Sequence, residues 1–171
     1  MPKYVAFLRG INAGRVIKMI DLKDCFESMG LDNVKTVLQT GNVVFESNKN
    51  VQDLKRLIEK EMSIRFSFDA KAQVYSFEDL SKIIEAYSFE DKEGMHSYVI
   101  FLENSLEQDL VKEEYKLSDD EKVKAGKGVV YWQVCRGDTL SSLFAKLLAK
   151  SKYKLFNTNR NLNTLKKIIN A

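Results

Sequence analysis

The chain of 171 residues holds a single histidine and only two cysteines. Those counts exclude His-rich metal centres, zinc ribbons and disulfide frameworks, each of which needs more ligands or more pairs. Long apolar runs are missing as well, and nothing approaches the length that spans a bilayer. Near the start, Tyr4-Val5-Ala6-Phe7-Leu8 is cut off by Arg9-Gly10, too short for the apolar segment of a signal peptide with its cleavage site. Cys25 and Cys135 lie far apart among core-like residues and read as reduced, buried thiols, so a cytoplasmic location is expected. Both phosphate-loop spacings, G-x-x-x-x-G-K-[ST] and G-x-G-x-x-G, are absent. A Ser or Cys nucleophile would need a base, and His96 falls in a polar stretch that reads as a linker. Carboxylate pairs are numerous but none differs from a solvated helix face. No catalytic set and no metal or cofactor motif emerges, so no cofactor is expected.

With 44% apolar and 30% charged residues, the composition is that of a folded globular protein, long enough for one large or two small domains. Tyr4 to Leu8 is apolar at consecutive positions, as in a strand buried on both faces. A helix carrying Leu22, Cys25, Phe26 and Met29 on one stripe stops at Gly30. Val34 to Leu38 and Val43 to Glu46 read as strands around Gln39-Thr40-Gly41-Asn42, whose Gly and Asn tolerate positive φ. Asn50 caps a helix with Leu54, Ile58 and Met62, and Gln73 to Phe77 is a strand. That order is the split βαβ pattern of ferredoxin-like domains.

A linking helix near 77–88 precedes a polar boundary, Glu90 to His96. The strand Ser97 to Leu102 follows, then a helix from a Ser105/Gln108 capping box to about Tyr115. Beyond the weak strand Glu121 to Lys124 and the turn Gly126-Lys127-Gly128 comes a strand over Val129 to Cys135. Asp138 or Thr139 caps a helix with Leu140, Leu143, Phe144, Leu147 and Leu148, and a last helix carries Leu162, Leu165, Ile168 and Ile169. The expected fold is α+β, two tandem ferredoxin-like domains with antiparallel sheets. Residues 1–90 form the first and 91–171 the second, which ends in a helix where the first ends in a strand.

In this topology the end of the first strand and the turn between strands two and three share one sheet edge. Arg9, Asn12, Gly14, Arg15 and Lys18 are therefore expected near Gln39, Thr40, Gly41 and Asn42, beside the N-terminus of the first helix. Such an edge suits an anion held by amide and guanidinium donors. The alternative is structural: Gly10 and Gly14 merely permit a tight strand-to-helix connection.

Net charge is +3, but it is distributed in blocks. Residues 1–89 hold 13 basic and 12 acidic side chains, residues 90–121 hold 3 and 11, and residues 122–171 hold 11 and one, Asp138. The basic segment interleaves Tyr131, Trp132, Tyr153 and Phe156 with Lys127, Arg136, Lys152, Lys154 and Arg160, a combination used by single-strand nucleic acid binders. Against this, lysines at helix C-termini favour the dipole anyway, and Trp132 is core-like.

Three separated stretches carry a resemblance: Leu8-Arg9-Gly10-Ile11-Asn12 with Gly14, Lys18-Met19 and Leu22; Gln39-Thr40-Gly41-Asn42-Val43-Val44-Phe45; and Thr158-Asn159-Arg160-Asn161-Leu162-Asn163-Thr164-Leu165. In this order they resemble the signature of a bacterial family, the domain of unknown function 1697, over essentially the whole chain. Ala13, Arg15, Thr40 and Leu162 depart from it, standing where a small apolar residue, Gly, Ser and an aromatic are expected. The resemblance implies two ferredoxin-like domains and no activity. Its polar residues Arg9, Asn12, Gln39, Asn42, Arg160, Asn161 and Thr164 outnumber what packing needs, and they are expected to line a polar interdomain cleft for a small phosphorylated or anionic ligand.

Three functions compete. The first is a non-catalytic binder of nucleic acid or another polyanion through the basic segment. The second is an enzyme or sensor for an anionic metabolite, and the third an interaction domain whose acidic and basic surfaces pair between chains.

Overall fold

The computed structural model describes residues 1–11, 14–112, 117–118, 120–154 and 157–171, with the backbone alone at 39, 40, 151 and 152. Among these residues two four-stranded antiparallel sheets form, and the chain divides into two compact units. The first holds Met1–Ser81 and Lys166–Ala171, the second Lys82–Leu165, so the chain changes unit within two helices.

In the first unit β1 (Lys3–Arg9), α1 (Met19–Ser28), β2 (Asp32–Val37), β3 (Gln39–Glu46), α2 (Val51–Phe66) and β4 (Lys71–Ser76) succeed one another, followed by α3 (Phe77–Glu85). The strands lie in the order β2-β3-β1-β4. Alternation along β1 sends Tyr4, Ala6 and Leu8 into a core with Leu22, Phe26, Phe45, Leu54 and Ile58. Each fully buried leucine, isoleucine or phenylalanine among them contributes about 1.5–3 kcal/mol. Val5 and Phe7, on the opposite face, are equally buried, which is why β1 is apolar at every position. Helix α2 is capped as its sequence suggests: the Asn50 side chain accepts from the Asp53 amide at 2.9 Å.

The turn before β3 differs from expectation. Its positive φ falls on Leu38 (67°), and Gln39 to Asn42 are already in β3. Cross-strand pairing with β1, which sets Phe7 opposite Asn42, extends the strand through residues that read as a turn.

The second unit runs β5 (Met95–Leu102), α4 (Glu107–Val111), β6 (Lys122–Ala125), β7 (Val129–Cys135), α5 (Leu143–Leu148), α6 (Ser151–Lys154), β8 (Asn157–Asn161) and α7 (Leu162–Ile169). Its strand order, β6-β7-β5-β8, repeats that of the first unit. Ile100, Val130, Trp132, Val134, Phe144 and Leu147 form the core on the helix side. Across the sheet the Tyr131 hydroxyl donates to the Ile83 carbonyl at 2.6 Å, and the Gln133 amide to the Glu90 carbonyl at 2.7 Å.

Several expectations change here. Asn157–Asn161 is a strand, so this half also closes with one before its final helix. His96 is not in a linker but in β5, its Nδ1 3.1 Å from the Tyr98 hydroxyl. Ser105 caps nothing: it has φ 55°, and α4 starts after Leu106 with no side-chain cap. The expected end of that helix, near Tyr115, lies outside the described residues. Ser142, not Asp138 or Thr139, caps α5, accepting from the Ala145 amide at 3.0 Å. Leu140 is consequently left outside the helix and 92% exposed.

Candidate functional site

Arg9 ends β1 opposite Lys71 of β4, two residues past the Phe7–Asn42 pair, and thus lies at the β2–β3 turn end of the sheet. Gly10 and Gly14 follow with φ of 68° and 74°, a region that side chains other than glycine rarely enter. Arg15 braces the loop: its guanidinium lies 4.3 Å from the Phe68 ring centre and donates to the Gly10 carbonyl at 3.1 Å. Exposed Lys18 stands at the N-cap of α1 and supplies no side-chain acceptor to the first turn. Asn42 is buried, and its amide donates to the Val37 carbonyl at 3.2 Å, which ties the turn together. Asn12 and the side chain of Gln39 lie outside the described residues.

The remaining candidates belong to the second unit. Arg160 lies in β8 opposite Val99 and donates to the Asn159 carbonyl at 3.0 Å. Burial pushes its guanidinium down to about 10, still charged at neutral pH. The Asn161 side chain accepts from the Asn163 amide at 2.8 Å and so caps the start of α7, whose first turn holds Thr164. Lys127 and Arg136 are exposed at opposite ends of β7, separated by a seven-residue strand of on the order of 20 Å. Lys154 is exposed at the end of α6, and the side chain of Lys152 lies outside the described residues.

The rings interleaved with these cations do not serve as stacking surfaces. Tyr131, Trp132 and Tyr153 are all buried, and Phe156 lies outside the described residues. Trp132 packs 5.2 Å from Phe144 and donates its indole N–H to Glu121 at 3.0 Å. Their aromatic character served the core, a distinction that spacing alone does not draw.

Sequence reasoning missed two features. Lys146, Lys150 and Lys154 follow at four-residue intervals along α5, its C-terminal turn and α6, and all are exposed. No acidic residue occurs from 139 to the end of the chain. The acid depletion is already plain from the sequence, whereas the spacing gains meaning only with the helices placed. Beside this stripe lies a pocket of about 300 Å³ lined by residues of β7, α5, α6 and β8 and by Thr139 and Leu140.

Cys25 is buried, and that burial pushes its thiol up, away from nucleophilic use. No cluster of three or more His, Cys, Asp or Glu able to hold a metal exists among the described residues. Nor is any helix among them long and apolar enough to cross a membrane.

A conserved bacterial protein from Streptococcus pneumoniae has a similar structure, with a TM-score of 0.79 and 25% identity over 99% of this chain and 97% of that one. An unknown protein from Galdieria sulphuraria aligns with 94% of this chain and 96% of its own at 9% identity, with a TM-score of 0.29. No curated protein matches the sequence. The model of a family described as protein of unknown function (DUF1697) matches residues 1–131, and the chain belongs to that family.

Proposed function

We propose that the protein is a non-catalytic, cytoplasmic binder of anionic ligands, with a polyanion such as nucleic acid as its principal partner. The observation that carries this reading is the Lys146, Lys150 and Lys154 stripe in a stretch without carboxylates. Lys146 in α5, Lys150 after it and Lys154 at the end of α6 are exposed cations close in sequence that can meet phosphates. The buried state of Trp132 and Tyr153 argues for backbone contacts in place of base stacking. Lys127, Arg136 and Lys152 would extend the basic surface.

Each unit is read as ferredoxin-like, since both sheets have the same strand order and a helix follows the first and third strand of each. A small-anion site at the Arg9 edge is the second reading, favoured by exposed Lys18 at a helix start that lacks a side-chain cap.

Fluorescence anisotropy with labelled single-stranded RNA and DNA tests the first reading. Affinity should fall with salt, with a log–log slope of about −0.7 per phosphate contacted. Replacing all three lysines by glutamine should flatten that slope by about 2. Absence of binding at low salt, or an unchanged slope in the triple variant, would reject it. A thermal-shift screen of phosphometabolites, with the shift lost in Arg9→Ala, tests the second.

A further inference from the structure

The two sheets share one plan, so each position of β8 has a counterpart in β4. Leu8 and Ala6 of β1 pair with Ala72 and Val74, whereas Leu102 and Ile100 of β5 pair with Asn157 and Asn159. In the first unit Ala72 and Val74 are buried in the core, and the 16-residue helix α2 packs on β4. Lys55 of that helix reaches the Ala72 carbonyl at 2.7 Å. In the second unit the corresponding helix is replaced by six-residue α5 and four-residue α6. Two asparagines thus stand where the other copy buries an alanine and a valine, and the cover over them is shortened. The 300 Å³ pocket lies at this place.

Its walls are apolar, with Trp132 and Leu148 among them, while Thr139, Asn157, Asn159 and Lys154 supply the polar groups. Thr139 is held by the Tyr98 hydroxyl at 3.2 Å, which also meets His96, so this rim is tied to the sheet. The Asn157 amide is engaged by the Tyr153 carbonyl at 2.7 Å. Asn159 is different: its side-chain oxygen is shielded from solvent and accepts no hydrogen bond from the described residues. Leaving a buried acceptor unmet is costly. The terminal torsion of asparagine is broad, so a modest rotation turns that oxygen into the pocket.

We infer that this pocket binds a small organic anion whose ring lies against the apolar lining supplied by Leu140, Ala145 and Leu148. The ring would give an N–H or O–H to Asn159 and hold its phosphate or carboxylate at the exposed ammonium of Lys154. The volume is at the low end for ligand sites, enough for one ring system with its substituent. This site shares Lys154 with the polyanion reading and differs from it in needing Asn159.

Titration with AMP, GMP, UMP and indole-2-carboxylate, read by the fluorescence of Trp132 and by thermal shift, tests it. The monophosphates and the indole acid separate a nucleotide from an aryl carboxylate. At least one probe should bind at millimolar concentration or below. Asn159→Val, which installs the residue that β4 has, should abolish binding yet hold or raise the melting temperature. Lys154→Gln should weaken the anionic probe roughly tenfold and leave its neutral counterpart (adenosine for AMP) unchanged. Because Lys154 is exposed, that variant keeps the test open should Asn159→Val fail to fold. Lack of any binding, binding undiminished in folded Asn159→Val, or an anionic probe bound as tightly by Lys154→Gln as by the parent, overturns the inference. RNA binding that persists in Asn159→Val supports that difference between the two sites, and its loss there counts against it.

Discussion

Replacing Glu121 by alanine removes the shared acceptor of the Trp132 indole, the Ser118 and Phe144 amides and the Ser142 hydroxyl. One carboxylate oxygen takes the Trp132 indole N–H at 3.0 Å, and the other takes the Ser118 amide at 2.7 Å and the Phe144 amide at 3.4 Å. The residue is buried beside the start of α5, so water cannot substitute freely. Hydrogen bonds to a charged group contribute about 1.5–3 kcal/mol, and each buried donor left unmet costs about 1–3 kcal/mol. The 3.4 Å contact is long, so the two shorter ones dominate, and a loss of about 3–5 kcal/mol is expected. That is a large share of the roughly 5–15 kcal/mol available to a domain. Glu121→Gln keeps one acceptor oxygen but turns an amide N–H₂ toward donors, and should lose about half as much. The protein has a single tryptophan, Trp132. Urea denaturation followed by its fluorescence therefore reports the second unit alone, with circular dichroism reporting the whole chain. The pH dependence is a second arm. Burial alone would raise the Glu121 carboxyl, but hydrogen bonds from Ser142, Ser118, Trp132 and Phe144 outweigh it and hold the group below its ordinary 4.5. A depressed folded value means that the stabilisation is complete above 4.5 and is lost as pH falls through the depressed value. Glu121→Gln should lack that acid-side slope. A Glu121→Ala midpoint equivalent to a loss under about 1 kcal/mol would refute the reasoning, since no buried donor would then have been orphaned.

Leu38 combines φ of 67° with 50% exposure, so Leu38→Asn should stabilise the first unit by about 0.5–1 kcal/mol, measured by thermal unfolding; a loss of stability would show that the leucine packs. Burial and a raised thiol should keep Cys25 unreactive toward a maleimide at neutral pH until the first unit unfolds, which mass spectrometry of labelled peptides reads directly. Labelling of Cys25 in the native protein at the rate of a free thiol would contradict its placement in the core.

The parts of the fold that were legible are those where local chemistry and tertiary packing agree. β1 and β7 declare themselves by continuous apolar runs, and α2 by its Asn50 cap and helical stripe. β8 was hidden because Asn-Thr-Asn-Arg-Asn has neither alternation nor strand propensity; it is extended because β5 pairs with it. The turn at Leu38 escaped for the converse reason, since Asn42 is a good turn residue that pairing with β1 draws into a strand. For the site, charge blocks were visible in the sequence, whereas the meaning of the aromatic residues was not. Trp132 and Tyr131 look the same in a binding stripe as in a core. Asn159 could be singled out only as part of a motif, because its shielded oxygen is a property of position.

The strand order that both sheets share also decides which backbone groups are left to recruit another chain. In each sheet the two interior strands are fully paired, so only β2, β4, β6 and β8 can template a neighbour. β2 breaks register with β3 at two places, β6 is four residues long and carries two exposed lysines, and β8 is a polar, asparagine-rich segment. Irregularity, brevity with charge, and polarity are three different ways of blunting an edge. β4 is a regular six-residue strand whose edge is instead covered by side chains of α2, for the Ala72 amide donates to Glu59 at 3.2 Å and its carbonyl accepts from Lys55 at 2.7 Å.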